Sequence, residues 1–403
     1  MAINPQAKGG DRQTIVVVGA GIGGLTAAVA LAAASFRVIV VERADHLSEA
    51  GAGIQIAPNA GRILANLGLA TKIAAAAIEP DAIEVRSGTS GKVIATIPGA
   101  AYRARYGAPY HVIHRADLQS VLAAAVEANP NVTLELGATV AQTLPQPNGL
   151  LVRIQKPGGI DVVPAVAIIA ADGVWSTFRD KIAGSAKATP TGRTAWRALL
   201  AADVGRDLVS MTRVNLWLGR NAHLVHYPVA QGSAVNIVAI VDEVWDKQGW
   251  SAVGDRAEIA RRFHDWPLRA RHLIAAPVSW QKFSINRVNA GAPWTSERLA
   301  LLGDAAHAMP PYLAQGAAMA IEDAAVLAET LRGVSDIPAG LRAYEAARKA
   351  RVAAVARAAE QTGRQYHYAG PLAFARDTAL HYAAERLILE RNDWIYNWQL
   401  SAG

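Results

Sequence analysis

Apolar positions near the start of the chain change period at a glycine cluster. Ile15-Val16-Val17-Val18 is a β-branched run, Gly19, Gly21, Gly23 and Gly24 follow it, and an Ala- and Leu-rich stretch then reaches Phe36. A short β-branched run favours a strand, dense glycine a turn, and the Ala/Leu stretch a helix. Val38-Ile39-Val40-Val41 is a second such run and ends at Glu42. Together these segments predict a βαβ crossover of about 30 residues.

Further along, the pattern predicts a glycine-rich loop over 51–58, a helix over 59–67 and alternating strands over 82–97. His114-Arg115-Ala116-Asp117-Leu118 opens a helix to Glu127, 132–136 and 150–154 read as the two strands of a hairpin, and 163–171 reads as one buried strand before Asp172-Gly173. Residues 184–284 hold six of the ten tryptophans and several alternating segments, among them 235–241, which marks a separate sheet-rich region. A strand over 299–302 precedes Gly303-Asp304, a long Ala-rich helix covers 315–331, and a second helix over 339–364 carries basic residues on what is expected to be a solvated face. No internal repeat is present. The element order predicts an α/β fold with a Rossmann-like nucleotide-binding domain, an inserted sheet-rich domain and C-terminal helices. The boundaries expected are 1–77, 104–183 and 285–365 for the first, 78–103 and 184–284 for the second, and 366–403 for the C-terminal segment. Residues 1–13 read as a mobile arm.

Composition narrows the chemistry. The 403 residues contain no cysteine, which excludes disulfides, thiolate-bound metals and CxxC redox chemistry, so redox work needs an organic cofactor or a His/carboxylate metal site. The spacing of His111 and His114 offers no third ligand, and no metal is expected. Lys and Arg number 40 against 33 Asp and Glu, a net +7 that favours anionic ligands; the basic residues are scattered without a nucleic-acid motif, so a small carboxylate or a dinucleotide is the better fit. Residues 15–36 are uncharged and long enough to imitate a membrane span, but the four glycines argue for strand, turn and helix and against an integral membrane segment, and the absence of cysteine fits the reducing cytoplasm expected for the protein.

The candidate chemistry starts at Gly19-Ala20-Gly21-Ile22-Gly23-Gly24. This GxGxxG lies between a strand and a helix, where glycine permits a tight turn and close approach of backbone N–H groups to a pyrophosphate. Glu42, at the end of the second strand, is placed to meet ribose hydroxyls. Two further segments separate FAD from NAD. Asp172-Gly173-Val174-Trp175-Ser176-Thr177-Phe178-Arg179 fits DGxxSxxR, and Gly303-Asp304-Ala305-Ala306-His307 follows a strand. The three motifs, in this order, resemble the signature of the single-component FAD-dependent aromatic hydroxylases of the para-hydroxybenzoate hydroxylase fold. The pattern is most similar to 3-hydroxybenzoate 6-hydroxylases and salicylate hydroxylases, and it runs from Ile15 to about Gly370.

That resemblance implies FAD as cofactor, NAD(P)H as a transient co-substrate without its own Rossmann domain, and O2 activated as a C4a-hydroperoxyflavin that hydroxylates a phenolic aromatic acid. It implies that Gly19, Gly21, Gly24, Glu42 and Arg43 hold the ADP half of FAD. Arg115 and Gln55 would line the cofactor pocket, Asp172 and Arg179 would serve the DG motif, and Gly303, Asp304, Gly316 and Ala317 would face the ribityl and ring portions. A plain structural reading stands beside this as the lesser alternative, with Asp172 and Asp304 as helix caps and Arg179 as a surface cation. Alternation along His223-Leu224-Val225-His226-Tyr227-Pro228 puts His223 and Tyr227 on one strand face and His226 on the other. By resemblance, His223 and Gln315 would hold the substrate phenol and Tyr227 would orient it. His307 reads as structural. A non-phenolic or N-heterocyclic substrate, and a non-catalytic flavin-binding role, stand as alternatives, and a homodimer is left open.

Overall fold

The structure is a computed structural model that describes residues 13–47, 52–247 and 249–400; the expected arm over 1–13 lies outside it except for Gln13. The β-branched runs pair as expected. Thr14–Val18 is flanked in parallel by Arg37–Val41 and by Ala167–Ala170, and the sheet extends to Val132–Glu135 on one edge and to Leu299–Leu301 on the other, with Thr295–Ser296 folded back as a short antiparallel rim. Ile15, Val16, Val17, Val38 and Val40 are fully buried, as parallel strands covered on both faces require. Helix Ile22–Ala33 packs between this sheet and helix Gly316–Leu331. The apparent membrane span is thus strand, turn and helix, and among the described residues no helix is long and apolar enough to cross a membrane.

A second sheet of eight strands has the order Ser251–Gly254, Trp280–Arg287, Thr189–Ala201, Ala234–Asp242, Ala222–Val229, Arg213–Gly219, Ala82–Ser87 and Val93–Pro98. All neighbours are antiparallel except Arg213–Gly219 with Ala82–Ser87. One face carries Trp196, Trp217, Leu224, Ile237 and Trp280 under helices Arg256–Arg262 and Leu268–Ala275. The other face turns His223, Tyr227 and Ile240 toward the first sheet and its loops.

Four expectations need correction. Residues 132–136 and 150–154 do not form a hairpin: Val132–Glu135 joins the parallel sheet, while Gly149–Lys156 is the middle of an antiparallel meander between Thr139–Gln146 and Gly159–Ala165. The apolar run over 163–171 is two strands, because Gly159–Ala165 ends in the meander and Ala167–Ala170 begins in the parallel sheet. The loop over 51–58, of which residue 51 lies outside the described residues, contains the strand Gly53–Ile56, paired with His111–His114. Finally, helix Ile337–Tyr366 does not present all its basic residues to water. Arg348 is fully buried, with Nη1 2.7 Å from Glu322 and Nε 2.7 Å from Asp323, and Arg351 donates to Glu322 at 2.7 Å and to the carbonyls of Trp394 and Ile395 at 2.8 and 3.0 Å. Glu322 and Asp323 sit in the helix Gly316–Leu331, and two carboxylates without solvent demand these cations. Arg62 ties the same C-terminal stretch down by donating to the carbonyls of Tyr396 and Trp398 at 2.5 and 2.8 Å.

Candidate active site

The glycine loop is shaped from within and open toward a ligand. Gly19 has φ +99°, a conformation that disfavours any side chain, and a Cβ there would lie 3.0 Å from the Ala171 carbonyl carbon. A Cβ on Gly24 would run into the Gly19 carbonyl oxygen, and one on Gly23 would come within 2.9 Å of Leu302. At Gly21 a Cβ would meet nothing within 4 Å. The protein's own packing therefore does not explain glycine at 21, whereas a group approaching the backbone from outside does. Helix Ile22–Ala33 begins there without a side-chain cap, so its first N–H groups face the same opening. Glu42 is fixed beside the loop, accepting from Ala20 N at 2.8 Å and Ala44 N at 2.9 Å. Arg43 is exposed next to it. Arg115 is the first residue of helix Arg115–Glu127, and its backbone N–H donates to the Ala52 carbonyl at 2.9 Å.

The other two motifs are locked to each other. Arg179 is buried rather than a surface cation; its Nε donates to the Ala305 carbonyl at 2.8 Å and its Nη2 to the Val174 carbonyl at 3.0 Å, joining the DG segment to the segment after Gly303. Asp172 accepts from Thr177 N at 2.9 Å through one oxygen, while the other is buried with no partner in the protein. Gly303 has φ +63°, and its N–H donates to Asp323 at 3.1 Å; His307 Nε2 lies 2.5 Å from the same carboxylate oxygen, while its Nδ1 is buried with no partner in the protein. Asp304 is exposed, and its Oδ1 is 4.0 Å from where a Cβ on Gly316 would stand, so its carboxylate lies beside the first residue of helix Gly316–Leu331, which Ala317 follows.

Gln315 immediately precedes that helix and is buried. Asn59 Nδ2 donates to its Oε1 at 3.0 Å and to Glu322 at 2.7 Å, while Gln315 Nε2 and Asn59 Oδ1 are buried with no protein partner. Polar atoms buried in this way are normally met by an ordered water, an ion or a ligand. On the sheet side, Asn236 Oδ1 accepts from Gly53 N at 2.7 Å, the Tyr227 ring packs against Gly53, and Tyr110 donates its hydroxyl proton to Gln55. Burial raises the Tyr227 phenol above its ordinary value, so it stays protonated. The strand alternation holds: His226 points the other way and accepts from Trp217 Nε1 at 3.0 Å, with its pKa pushed down to about 3 by burial and by Arg269 and Arg86.

His223 is 2% exposed and stands among Tyr312, Tyr366 and His367, with ring centroids 5.5, 5.3 and 5.1 Å away. Its Nδ1 is 2.9 Å from His367 Nε2, which leaves Nε2 as the ring nitrogen for a ligand. Burial, then His367 and Arg193, hold its pKa well below the ordinary imidazole range, so it is a neutral base. His367, Asp242 and Arg193 belong to this neighbourhood and Asn59 to that of Gln315, and all four escaped the sequence reading. Asn236 and Asp242 could have been found from strand alternation, but nothing in the sequence singles out His367, 144 residues from its partner.

The open glycine loop, the fixed Glu42 and the ligand-seeking atoms of Asp172, Asn59 and Gln315 suit one extended cofactor with a polar ring. A profile of the FAD binding domain family matches residues 12–359. The chain is 37% identical over 96% of its length to a 3-amino-4-hydroxybenzoate 2-monooxygenase of Streptomyces platensis, of which 97% is covered. It is 33% identical to a 3-hydroxybenzoate 6-hydroxylase of Polaromonas naphthalenivorans, with 96% of each chain covered. A salicylate hydroxylase solved with its substrate superposes with TM-score 0.80 at 25% identity, 96% of each chain being covered. The chain belongs to the FAD binding domain family and, within it, to the FAD-dependent aromatic monooxygenases, which take electrons from NAD(P)H and oxygen from O2.

Asp304→Ala is expected to weaken FAD binding. A hydrogen bond to a charged group is worth about 1.5–3 kcal/mol, roughly ten- to a hundredfold in Kd. Because the side chain is exposed, the melting temperature of the apoprotein should stay put while the yellow colour is lost on desalting. Unchanged FAD content would remove Asp304 from the cofactor site.

Proposed function

We propose that the enzyme hydroxylates the ring of a phenolic aromatic acid of the hydroxybenzoate class. The observation that carries this is His223: a buried neutral imidazole with one nitrogen engaged by His367 and the other left for a hydrogen-bonding group of the substrate. FAD, when bound, supplies reduction by NAD(P)H and delivery of an electrophilic oxygen. The chain's own residues prepare the ring. His223 Nε2 takes the phenol proton, and the phenolate is richer in electrons at its ortho and para carbons. Tyr227, kept protonated by burial, orients the ring from the same strand face, and Gln315 offers Nε2 to a substrate or flavin oxygen. The aromatic walls of Tyr312 and Tyr366 exclude water from the reacting atoms. The hydroxybenzoate relatives support this class, and the net +7 favours an anionic acid. The same reading keeps the cytoplasmic location expected from the sequence and leaves room for a homodimer.

The test is NADH and NADPH oxidation by the FAD-loaded protein, with product analysis, against salicylate, 3-hydroxybenzoate, 4-hydroxybenzoate, 3-amino-4-hydroxybenzoate and 6-hydroxynicotinate. A rate that rises with one phenolic acid and yields its hydroxylated product is expected. Indifference to every phenol, or stimulation by the N-heterocycle alone, overturns the substrate class.

A further inference from the structure

His223 has a difficulty as a base: it is sealed from solvent, and a proton accepted there would leave a cation in apolar surroundings beside Arg193. The structure provides a way out. His223 Nδ1 lies 2.9 Å from His367 Nε2, and His367 Nδ1 lies 2.9 Å from Asp242 Oδ1. Asp242 and Arg193 are cross-strand partners, and Arg193 Nε donates to the same carboxylate oxygen at 2.7 Å while its Nη1 donates to the Tyr312 hydroxyl at 2.8 Å. Exposure rises along the line, from 4% for the His367 side chain to 38% for that of Asp242. Asp242 in turn lines a cleft of about 400 Å³ together with Arg220, Asn221, Ala222, Arg262 and His264.

We propose that His223, His367 and Asp242 form a proton wire from the substrate phenol to this cleft, with His367 as the relay that makes His223 usable as a base. The inference rests on the phenolic reading above. The wire starts from the tautomers in which each imidazole carries a proton on Nδ1, so that His223 donates to His367 and His367 donates to Asp242. The phenol O–H bond breaks as His223 Nε2 gains a proton. His223 Nδ1–H passes to His367 Nε2, His367 Nδ1–H passes to Asp242, and Asp242 gives one proton to water in the cleft. One phenolate and one solvent proton result, and no ring ever holds two protons for longer than the transfer. The same wire run backwards returns a proton to the hydroxylated product and restores the starting tautomers. Asp242 suits the last step: burial works to raise it, but the His367 hydrogen bond and Arg193 outweigh that and keep it below the usual carboxylate range, so it does not retain the proton.

The test separates relay from scaffold. In His367→Gln the amide oxygen can accept from His223 and the amide nitrogen can donate to Asp242, so both hydrogen bonds persist but no net proton passes. The FAD-loaded wild type and variant are mixed with the active phenolic acid, without reduced nicotinamide, in weakly buffered solution with a pH indicator. Phenolate absorbance and proton release are followed together. In wild type the two rise together. In His367→Gln the melting temperature, flavin spectrum and substrate Kd are expected to stay the same while proton release slows by roughly a hundredfold, the scale of a general acid–base contribution. Asp242→Asn, at the exposed end, should slow release in the same way and does not disturb the buried ring. Release at the wild-type rate in both variants overturns the wire alone. A wild type that binds the acid with no phenolate band removes the phenolic reading, and the wire with it.

Discussion

The His223→Gln enzyme should bind FAD and the phenolic acid but lose coupled hydroxylation by roughly 10²–10⁴-fold, the usual worth of a positioned general base. Glutamine keeps most of the volume of a side chain that is 2% exposed, so the loss is chemical rather than a packing defect; His223→Ala should show the same loss with some destabilisation added. The expected signature is oxidation of reduced nicotinamide that continues while product falls and peroxide accumulates. The pH profile of the wild type carries the sign of the argument. Because the His223 pKa is depressed by burial, His367 and Arg193, the base stays deprotonated as pH falls through the ordinary histidine value of about 6.5, so His223 itself should contribute no acid limb to kcat/KM there. Full coupling in His223→Gln would remove His223 from the chemistry.

Arg348→Ala should be the most destabilising single substitution among the charged residues described, by about 3–5 kcal/mol in chemical denaturation, the cost of leaving buried charges without their partner. Glu322 and Asp323 are both fully buried, and Arg348 donates to each. Arg351 can still serve Glu322, but Asp323 would keep only His307 and the Gly303 N–H. The effect should therefore reach the Gly303 loop and weaken FAD retention as well. Acid should act on the same network. Burial works to raise Asp323, and His307 and Arg348 outweigh it, so its folded pKa lies below the unfolded value of about 3.9. That stability is present above pH about 4 and is lost as pH falls through the folded value. A loss below about 1 kcal/mol in Arg348→Ala would put the network in the class of surface pairs and refute its structural role.

What the sequence showed and what it hid divide along the range of the interactions. The glycine loop is legible because its demands are local: the φ of Gly19 and the contact of Gly24 with the Gly19 carbonyl involve residues within one turn. The faces of His223, His226 and Tyr227 are legible because strand geometry alternates whatever lies opposite. The run over 163–171 was not divisible by inspection, since hydrophobicity says that a residue is buried but not in which sheet. Arg348 and Arg351 look like any solvated helical cations until Glu322 and Asp323, some 25 residues away on another helix, are brought against them. His367 belongs to the same class: its role exists only because a helix end meets a strand that lies far from it in sequence.

The order of the parallel sheet also bears on how the protein is made. Val16 lies beside Ile39 and Ile168, and Ile168 lies beside Leu299. During vectorial synthesis the first strand–helix–strand unit emerges early, yet one edge of its central strand has no neighbour until residue 167, and the next edge stays bare until residue 299. An apolar edge held open for so long invites pairing with other nascent chains. The nucleotide-binding half therefore has its sheet completed only after the whole inserted sheet has been synthesised.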